Sequence, residues 1–392
     1  MTDPITQECP CSTSTSRRKL TLGLPSAATP NERRFPLTPE GAALLVARGF
    51  DIHLQSGAAE VIHFSDDAYA RVGVKITDRR TALGSDIVIH LPAISARDAE
   101  CLRPGAVLLS LLHASHQSER ALHHLLVRKV IAIALDLVAD SEGHYPFADI
   151  LSEIDGHAAI SLASALLADA VHGKGILLGG IPGVVPCEVT ILGAGIAARA
   201  AARAAVGLGA TVRIFDNDVY RLRKALYELG GNVIGSALHP KVLASALRSA
   251  DVVVATPSRH PVEIGLDMVS EMKRGVIAFD LTDRSAADVF PSLECVDLAG
   301  ASADECSPLH RLRVCYVNAG SAVPRTAAMA LSNTLLTFFD DIMVCDGLSN
   351  ALKFNQGLSR AAYTFLGRIV NPAIARVVGQ RSVDINLFLQ FT

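Results

Sequence analysis

The chain has 392 residues, half of them apolar and 19% charged, with 36 Lys and Arg against 39 Asp and Glu. That length implies two domains, and the apolar fraction excludes intrinsic disorder over most of the chain. A net charge of −3 without a Lys/Arg stripe excludes the electrostatic footprint of a nucleic-acid-binding protein.

Residues 1–19 form a polar head, with the run ECPCSTSTSRRK, that lacks the apolar core of a signal peptide and is expected to be disordered. From Leu20 the chain alternates apolar runs (LTLGL, DIHLQ, DIVIHL, AVLLSLL, VIAIALDL) with helical patterns such as TPEGAALLVARG and SHQSERALHHLLVRK. Strands alternating with helices imply a parallel sheet, and runs that are apolar throughout imply strands covered on both faces. A helical stretch from about residue 150 to 172 and the turn GILLGGIPGVVP lead into a second series, EVTIL, TVRIF, DVVVAT, GVIAFD, CVDL and RVCYV. After Pro324 the pattern becomes helical again, through TAAMALSNTLLTFFDDI and SRAAYTFLGRIV, a tail expected to pack back on the first unit.

The expected fold is α/β, with two Rossmann-like, doubly wound parallel-sheet domains, one inserted into the other. Residues 20–149 and 325–392 would form a discontinuous substrate domain, residues 150–324 the nucleotide-binding domain, and the active cleft would lie between them. The best candidate for a membrane span, Ala158 to Val171, contains Asp169 and is too short, so no membrane insertion is expected. Eight cysteines, at 9, 11, 101, 187, 295, 306, 315 and 345, show neither C-x-x-C spacing nor a neighbouring histidine set. No metal site is expected, and the thiols read as reduced in a cytoplasmic protein.

The chemistry-bearing motif is Gly193-Ala194-Gly195-Ile196-Ala197-Ala198, between the apolar strand EVTIL and the helix-forming run RAAARAAVGLGA. Gly193 permits the tight turn, Gly195 admits a pyrophosphate to the backbone, and Ala198 lets helix and strand pack closely. The phosphates would meet a helix N-terminus. Asp216 ends the next strand, TVRIF, 23 residues after Gly193, where a carboxylate binds the adenosine ribose hydroxyls and repels a 2′-phosphate, favouring NAD over NADP. Arg213 and Arg221 nearby keep NADP open. The structural alternative is an ordinary glycine turn, with Asp216 capping a loop.

The segment GILLGGIPGVVPCEVTILGAGIAARAAARAAVGLGATVRIFDND resembles the linker and first βαβ unit of the alanine dehydrogenase and transhydrogenase alpha-subunit family. NERRFPLTPEG, GFDIHLQSGAAEVIHFSDDAYARVGV and NAGSAVPRTAAMALSN resemble further segments of that family in order and spacing. The resemblance implies an NAD-dependent amino-acid dehydrogenase that oxidises a small L-amino acid, alanine in the type case, to a 2-oxo acid and ammonia. It also implies a homo-oligomer, a hexamer in the family. Arg34 would grip the substrate carboxylate through its two-pronged fork, with Arg33 as the adjacent alternative. His113 would exchange the proton, Ser152 would contact the cofactor phosphates, and Asn318 would lie beside the nicotinamide. As bland alternatives, His113 caps a helix, Ser152 caps the helix that follows it, and Asn318 stabilises a turn.

Three departures surround the substrate pocket. The family's K-V-K-E-P segment is His90-Leu91-Pro92-Ala93 here, so the catalytic lysine is missing; His90 matches the first lysine and, if protonated, would restore part of the charge. Where the family reads D-x-x-I-D-Q-G-G, this chain reads Asp280-Leu281-Thr282-Asp283-Arg284-Ser285, so a one-residue gap decides whether Asp283 or Arg284 takes the catalytic place. The P-K-E start is Pro25-Ser26-Ala27. Two other readings therefore stand beside the dehydrogenase: the NAD(H)-binding component of a transhydrogenase, which also lacks the lysine, and an NAD-binding protein without turnover.

Overall fold

A computed structural model describes residues 19–27, 32–112, 114–258, 260, 262–282, 286–301, 305–306, 313–345 and 348–389. In the first sheet, β1 (Thr21–Leu24), β2 (Asp51–Gln55), β3 (Lys75–Thr77), β4 (Ile87–Ile89), β5 (Val107–Ser110) and β6 (Ile131–Ala134) run parallel in the spatial order β3-β2-β1-β4-β5-β6. In the second, β7 (Glu188–Leu192), β8 (Thr211–Phe215), β9 (Val233–Ser236), β10 (Val252–Ala255), β11 (Val276–Asp280), β12 (Glu294–Asp297) and β13 (Arg313–Val317) run parallel in the order β9-β8-β7-β10-β11-β13-β12. Every residue of β10 and β11 is buried, as strands covered on both faces require. Each sheet winds outward in one direction and then restarts beside its first strand. The crevices between β1 and β4 and between β7 and β10 are therefore topological switch points, where such sheets bind ligands.

The expected α/β doubly wound fold is the one observed, with two local differences. The strands β3 and β9 were not among the apolar runs, because both are short and partly exposed edge strands. The tail read as helical at SRAAYTFLGRIV instead forms β14 (Ala362–Phe365) and β15 (Arg368–Ile369), an antiparallel hairpin that extends the first sheet beyond β6. Its two-residue turn, Leu366 and Gly367, has positive φ at both positions (46° and 78°), which matches the right-handed twist of a hairpin. The Tyr363 hydroxyl shares a hydrogen bond with Ser110 Oγ at 2.9 Å, seating the hairpin against the end of β5.

One helix serves both cores. In the linker helix Pro146–Ala168, Phe147 and Leu151 pack in the core of the first sheet, while Ala158, Ala159, Ile160, Ala163 and Leu167 pack in that of the second. The boundary expected at residues 149–150 thus falls inside a continuous helix. The return helix Pro324–Val344 places Leu331, Leu335, Phe338 and Phe339 in the first core, with Phe339 5.2 Å from Phe50 and Phe338 5.7 Å from Phe147 between ring centroids. Both helices are long and apolar enough to cross a membrane by length and composition, and their buried residues line these two cores.

The linker helix lies so close to the helix Ile196–Gly207 that a Cβ on Gly156 would sit 2.2 Å from the Ala197 carbonyl oxygen. Replacing Gly156 with Ala must push the two helices apart. The gain in helix propensity, about 1 kcal/mol, is expected to be outweighed by overpacking that costs roughly 1–3 kcal/mol. Urea unfolding of Gly156→Ala should show a lower midpoint at unchanged slope; an unchanged or higher midpoint would mean that the helices are free to separate.

Candidate active site

The glycine motif occupies the switch point of the second sheet. Gly193 follows β7 with φ of 100°, a conformation natural to glycine, and its N–H donates to the Phe215 carbonyl at 2.7 Å. Across the crevice, Thr256 at the end of β10 donates through its hydroxyl to the Leu192 carbonyl at 2.8 Å and would lie 2.4 Å from a Cβ on Gly193. Gly195 caps the helix Ile196–Gly207, whose Ala198 is fully buried. A Cβ on Gly195 would meet Arg221 Nη2 at 2.9 Å, so a guanidinium reaches over the bare backbone where the pyrophosphate is expected.

Asp216 is 1% exposed. Its carboxylate accepts from the Ala194 N–H and the Asp218 N–H, each at 2.8 Å, which fixes it against the glycine turn. A carboxylate has about four lone-pair sites, so two such bonds leave capacity for ribose hydroxyls. The arginines that left NADP open separate here. Arg213 turns to Glu188 at 3.4 Å, whereas Arg221 stays at the glycine turn. A glycine turn at a helix N-terminus, an adjoining guanidinium and a buried carboxylate fit a nicotinamide dinucleotide.

Ser152 is the seventh residue of the linker helix, whose N-cap is Tyr145, so it does not cap that helix. Asn318 follows β13 in the left-handed conformation, φ 59°, and its Nδ2 donates to Asp297 Oδ2 at 2.8 Å, tying the ends of β12 and β13 together.

At the switch point of the first sheet, the loop after β1 turns Arg34 inward and leaves Arg33 exposed. Arg34 donates from Nε to Glu32 Oε1 at 2.8 Å and from Nη2 to Glu32 Oε2 at 2.6 Å, and its backbone N–H donates to Oε1 at 2.9 Å. Ser321, beyond β13, donates its hydroxyl to the same Oε1 at 3.3 Å, linking this loop to the end of the second sheet. Burial alone would lower the Arg34 pKa, but the charge and hydrogen bonds of Glu32, with the charges of Asp155 and Asp136, raise it further above its ordinary value. Arg34 is held protonated among three carboxylates. Asp155 comes from the linker helix and lies against Gly320, where a Cβ would be 2.0 Å from its Oδ1. Asp136, just past β6, accepts from the Leu112 N–H at 2.8 Å.

His90 follows β4 and is 1% exposed. Its Nδ1 lies 3.0 Å from the Pro92 carbonyl, which can only accept, so Nδ1 carries the proton. Nε2 is buried with no hydrogen-bond partner among the described residues. Burial lowers the His90 pKa, and nearby Arg79 lowers it further, against opposing effects of the Pro92 carbonyl, Asp98 and Glu32. The imidazole is neutral at physiological pH. Burial and Arg79 thus oppose the protonation by which His90 would restore part of the missing lysine's charge.

Glu32, Asp136, Asp155, Ser321 and Arg79 were not singled out in the sequence. Glu32 stands two residues before Arg34 and Asp136 at the end of an apolar strand, signals that could have marked them. Arg79 had none: its Nε and Nη2 donate to Asp98 at 2.8 and 2.9 Å, and its Nη1 donates to the Ser26 carbonyl, Ser26 Oγ and Gln55 Oε1. It thereby anchors the loop in which Pro25-Ser26-Ala27 replaces the family's start. A cavity of about 780 Å³ lined by Arg79, Arg80, Arg97, Asp98 and Arg128, among others, contains none of the residues expected from the sequence to bind substrate or cofactor. The converging hydrogen-bonding groups mark the site better than cavity size. His113, Asp283 and Arg284 lie outside the described residues.

The sequence model of the alanine dehydrogenase/PNT family matches with its N-terminal domain over residues 23–154 and its C-terminal domain over residues 159–372. Alanine dehydrogenase of Geobacillus stearothermophilus is 30% identical over 374 residues, covering 94% of this chain and 99% of that protein. Alanine dehydrogenase of Mycolicibacterium smegmatis is 28% identical over 384 residues, with the same coverage. Among solved structures, an L-alanine dehydrogenase superposes with a TM-score of 0.79 at 24% identity, covering 92% of this chain and 99% of that one. A transhydrogenase from Sinorhizobium meliloti superposes with a TM-score of 0.70 at 21% identity, covering 90% and 99%.

Exchanging Asp216 for Asn keeps the shape but removes the charge and one acceptor. Charge-assisted hydrogen bonds are worth about 1.5–3 kcal/mol, so NADH titration by fluorescence should show affinity reduced roughly ten- to hundredfold. Unchanged affinity would remove Asp216 from the cofactor site.

Proposed function

The chain belongs to the alanine dehydrogenase/PNT family, and from that premise we propose that it is an NAD-dependent dehydrogenase oxidising a small L-amino acid, with alanine the first candidate, to a 2-oxo acid and ammonia. The observation that carries this reading is the linkage of the Arg34 loop, at the switch point of the first sheet, to the segment that follows the second sheet's β13. The loop holding Arg34 is bonded through Glu32 to Ser321, three residues beyond Asn318 on the segment that leaves the cofactor sheet.

A guanidinium presents two edges, each able to grip a planar anion. Glu32 occupies the Nε/Nη2 edge of Arg34, and the Nη1/Nη2 edge is the one we assign to the substrate carboxylate. Glu32 is then a positioning residue that fixes the guanidinium plane. The surrounding Asp136 and Asp155 favour a substrate that also carries an ammonium group, so an α-amino acid fits this charge pattern better than a hydroxy acid. The glycine turn, Arg221 and Ser152 are assigned to the cofactor phosphates, Asp216 to its ribose, which favours NAD, and Asn318 to the nicotinamide end. When bound, the nicotinamide accepts hydride from the substrate α-carbon. His113 is assigned the proton lost as amine becomes imine, and Asp283 the positioning of the water that hydrolyses it, both by family resemblance. Leu177, Ile181, Val184 and Val185, exposed on the turn before β7, support the homo-oligomer that the resemblance implies.

One feature favours a second reading, cofactor binding without turnover: the run His90–Ala93 has no lysine and its histidine is neutral. The test is NADH formation from NAD with a panel of amino acids. Turnover of alanine, or of another amino acid, supports the dehydrogenase; tight NADH binding with no turnover across the panel establishes the second reading. If the enzyme turns over, Arg34→Lys, which loses the fork, should lower kcat/KM about a hundredfold or more, equivalent to roughly 3 kcal/mol, with NADH affinity within about twofold of the parent. Retained activity would remove Arg34 from substrate binding.

A further inference from the structure

Cys295 and Cys315 stand directly opposite each other on the parallel strands β12 and β13. Residues in register on neighbouring strands point to the same face, with Cα atoms about 4.8 Å apart, inside the roughly 4.4–6.8 Å range that a disulfide spans. Their side chains are therefore neighbours on that face. Their environments differ sharply: Cys295 is exposed on the edge strand, whereas Cys315 is 1% exposed within the core beneath it. We propose that Cys295 and Cys315 form a dithiol modification site which hydroperoxides convert reversibly to an intrachain disulfide.

The asymmetry assigns the roles. Interaction with the neighbouring Cys315 lowers the Cys295 pKa below that of a free thiol, against the opposing effects of partial burial and the charges of Asp280 and Asp297, while the same interaction and burial raise that of Cys315. Cys295 is the accessible thiolate that reacts first, and Cys315 resolves. The Cys295 sulfur attacks a peroxide oxygen and the O–O bond breaks, leaving a sulfenic acid while the departing oxygen takes a proton as water or alcohol. The Cys315 sulfur then displaces hydroxide from the Cys295 sulfur. The S–S bond forms, the S–O bond breaks, and the Cys315 proton leaves with the hydroxide as water. Two thiols lose two electrons, and the peroxide gains them. A low-molecular-weight dithiol reverses the change by exchange. The link would lie just before Asp297 and Asn318, whose side chains already join the two strand ends. Its chemistry is independent of which amino acid is turned over.

The experiment treats the intact protein with a small molar excess of hydrogen peroxide near neutral pH, alkylates the remaining thiols, and maps unreduced peptides by mass spectrometry. The expected result is a peptide pair joined through Cys295 and Cys315, two hydrogens lighter than the separate peptides and separated by dithiothreitol. In Cys315→Ala, Cys295 should stop at sulfenic or sulfinic acid, and its alkylation rate at neutral pH should fall several-fold. Full alkylation of both residues after peroxide, or direct conversion of Cys295 to sulfinic acid in the parent protein, would overturn the proposal.

Discussion

A guanidinium taken out of water must be neutralised, and much of the cleft is arranged around that requirement at Arg34. Its side chain is 12% exposed; left unpaired, such a charge would cost several kcal/mol. The groups that meet the need come from distant parts of the chain: Glu32 from the same loop, Asp136 from the end of β6, and Asp155 from the linker helix. Glu32 also accepts from Ser321, so one carboxylate orients the arginine and ties the loop of one sheet to the exit of the other. The linker helix supplies the matching constraint from below, because Gly156 lets it touch the cofactor helix and Gly320 lets Asp155 approach the backbone beyond β13.

The two halves of the cleft differ in how they manage charge. Beside the glycine turn, Asp216 is buried against two backbone N–H groups and Arg221 reaches over the turn, so a hydrogen-bond acceptor and a cation are held in place there before any ligand arrives. On the substrate side the lysine is gone and His90 is neutral. Beneath it lies the Arg79–Asp98 pair. Burial alone would raise the Asp98 pKa, but hydrogen bonds from Arg79 and Ser95 hold it below the usual carboxylate range. The Arg79 guanidinium is engaged by Asp98 and by the loop after β1 and does not replace the lysine. On this side Arg34 is a buried cation set among carboxylates, a surrounding of mixed charge.

The glycine turn, Asp216 and the strand–helix alternation were legible because they are local. A turn needing positive φ selects glycine at Gly193, and strands covered on both faces must be apolar along their length, as in DVVVAT and GVIAFD. The edge strands β3 and β9 escaped because an exposed strand face carries no such requirement. The tail hairpin escaped because AYTF and RI are too short for their period to distinguish strand from helix; pairing with β6 and the Tyr363–Ser110 bond decide it.

By itself the sequence determined the fold class and the place of the glycine turn after β7, since each depends on residues that are neighbours along the chain. Only the tertiary structure decided that Arg34 points inward onto Glu32, that Arg221 reaches the glycine turn while Arg213 does not, and that His90 is neutral. Those outcomes depend on burial and on charges brought together from separate strands and helices, and electrostatic energies are set by distance in space and by exclusion of water.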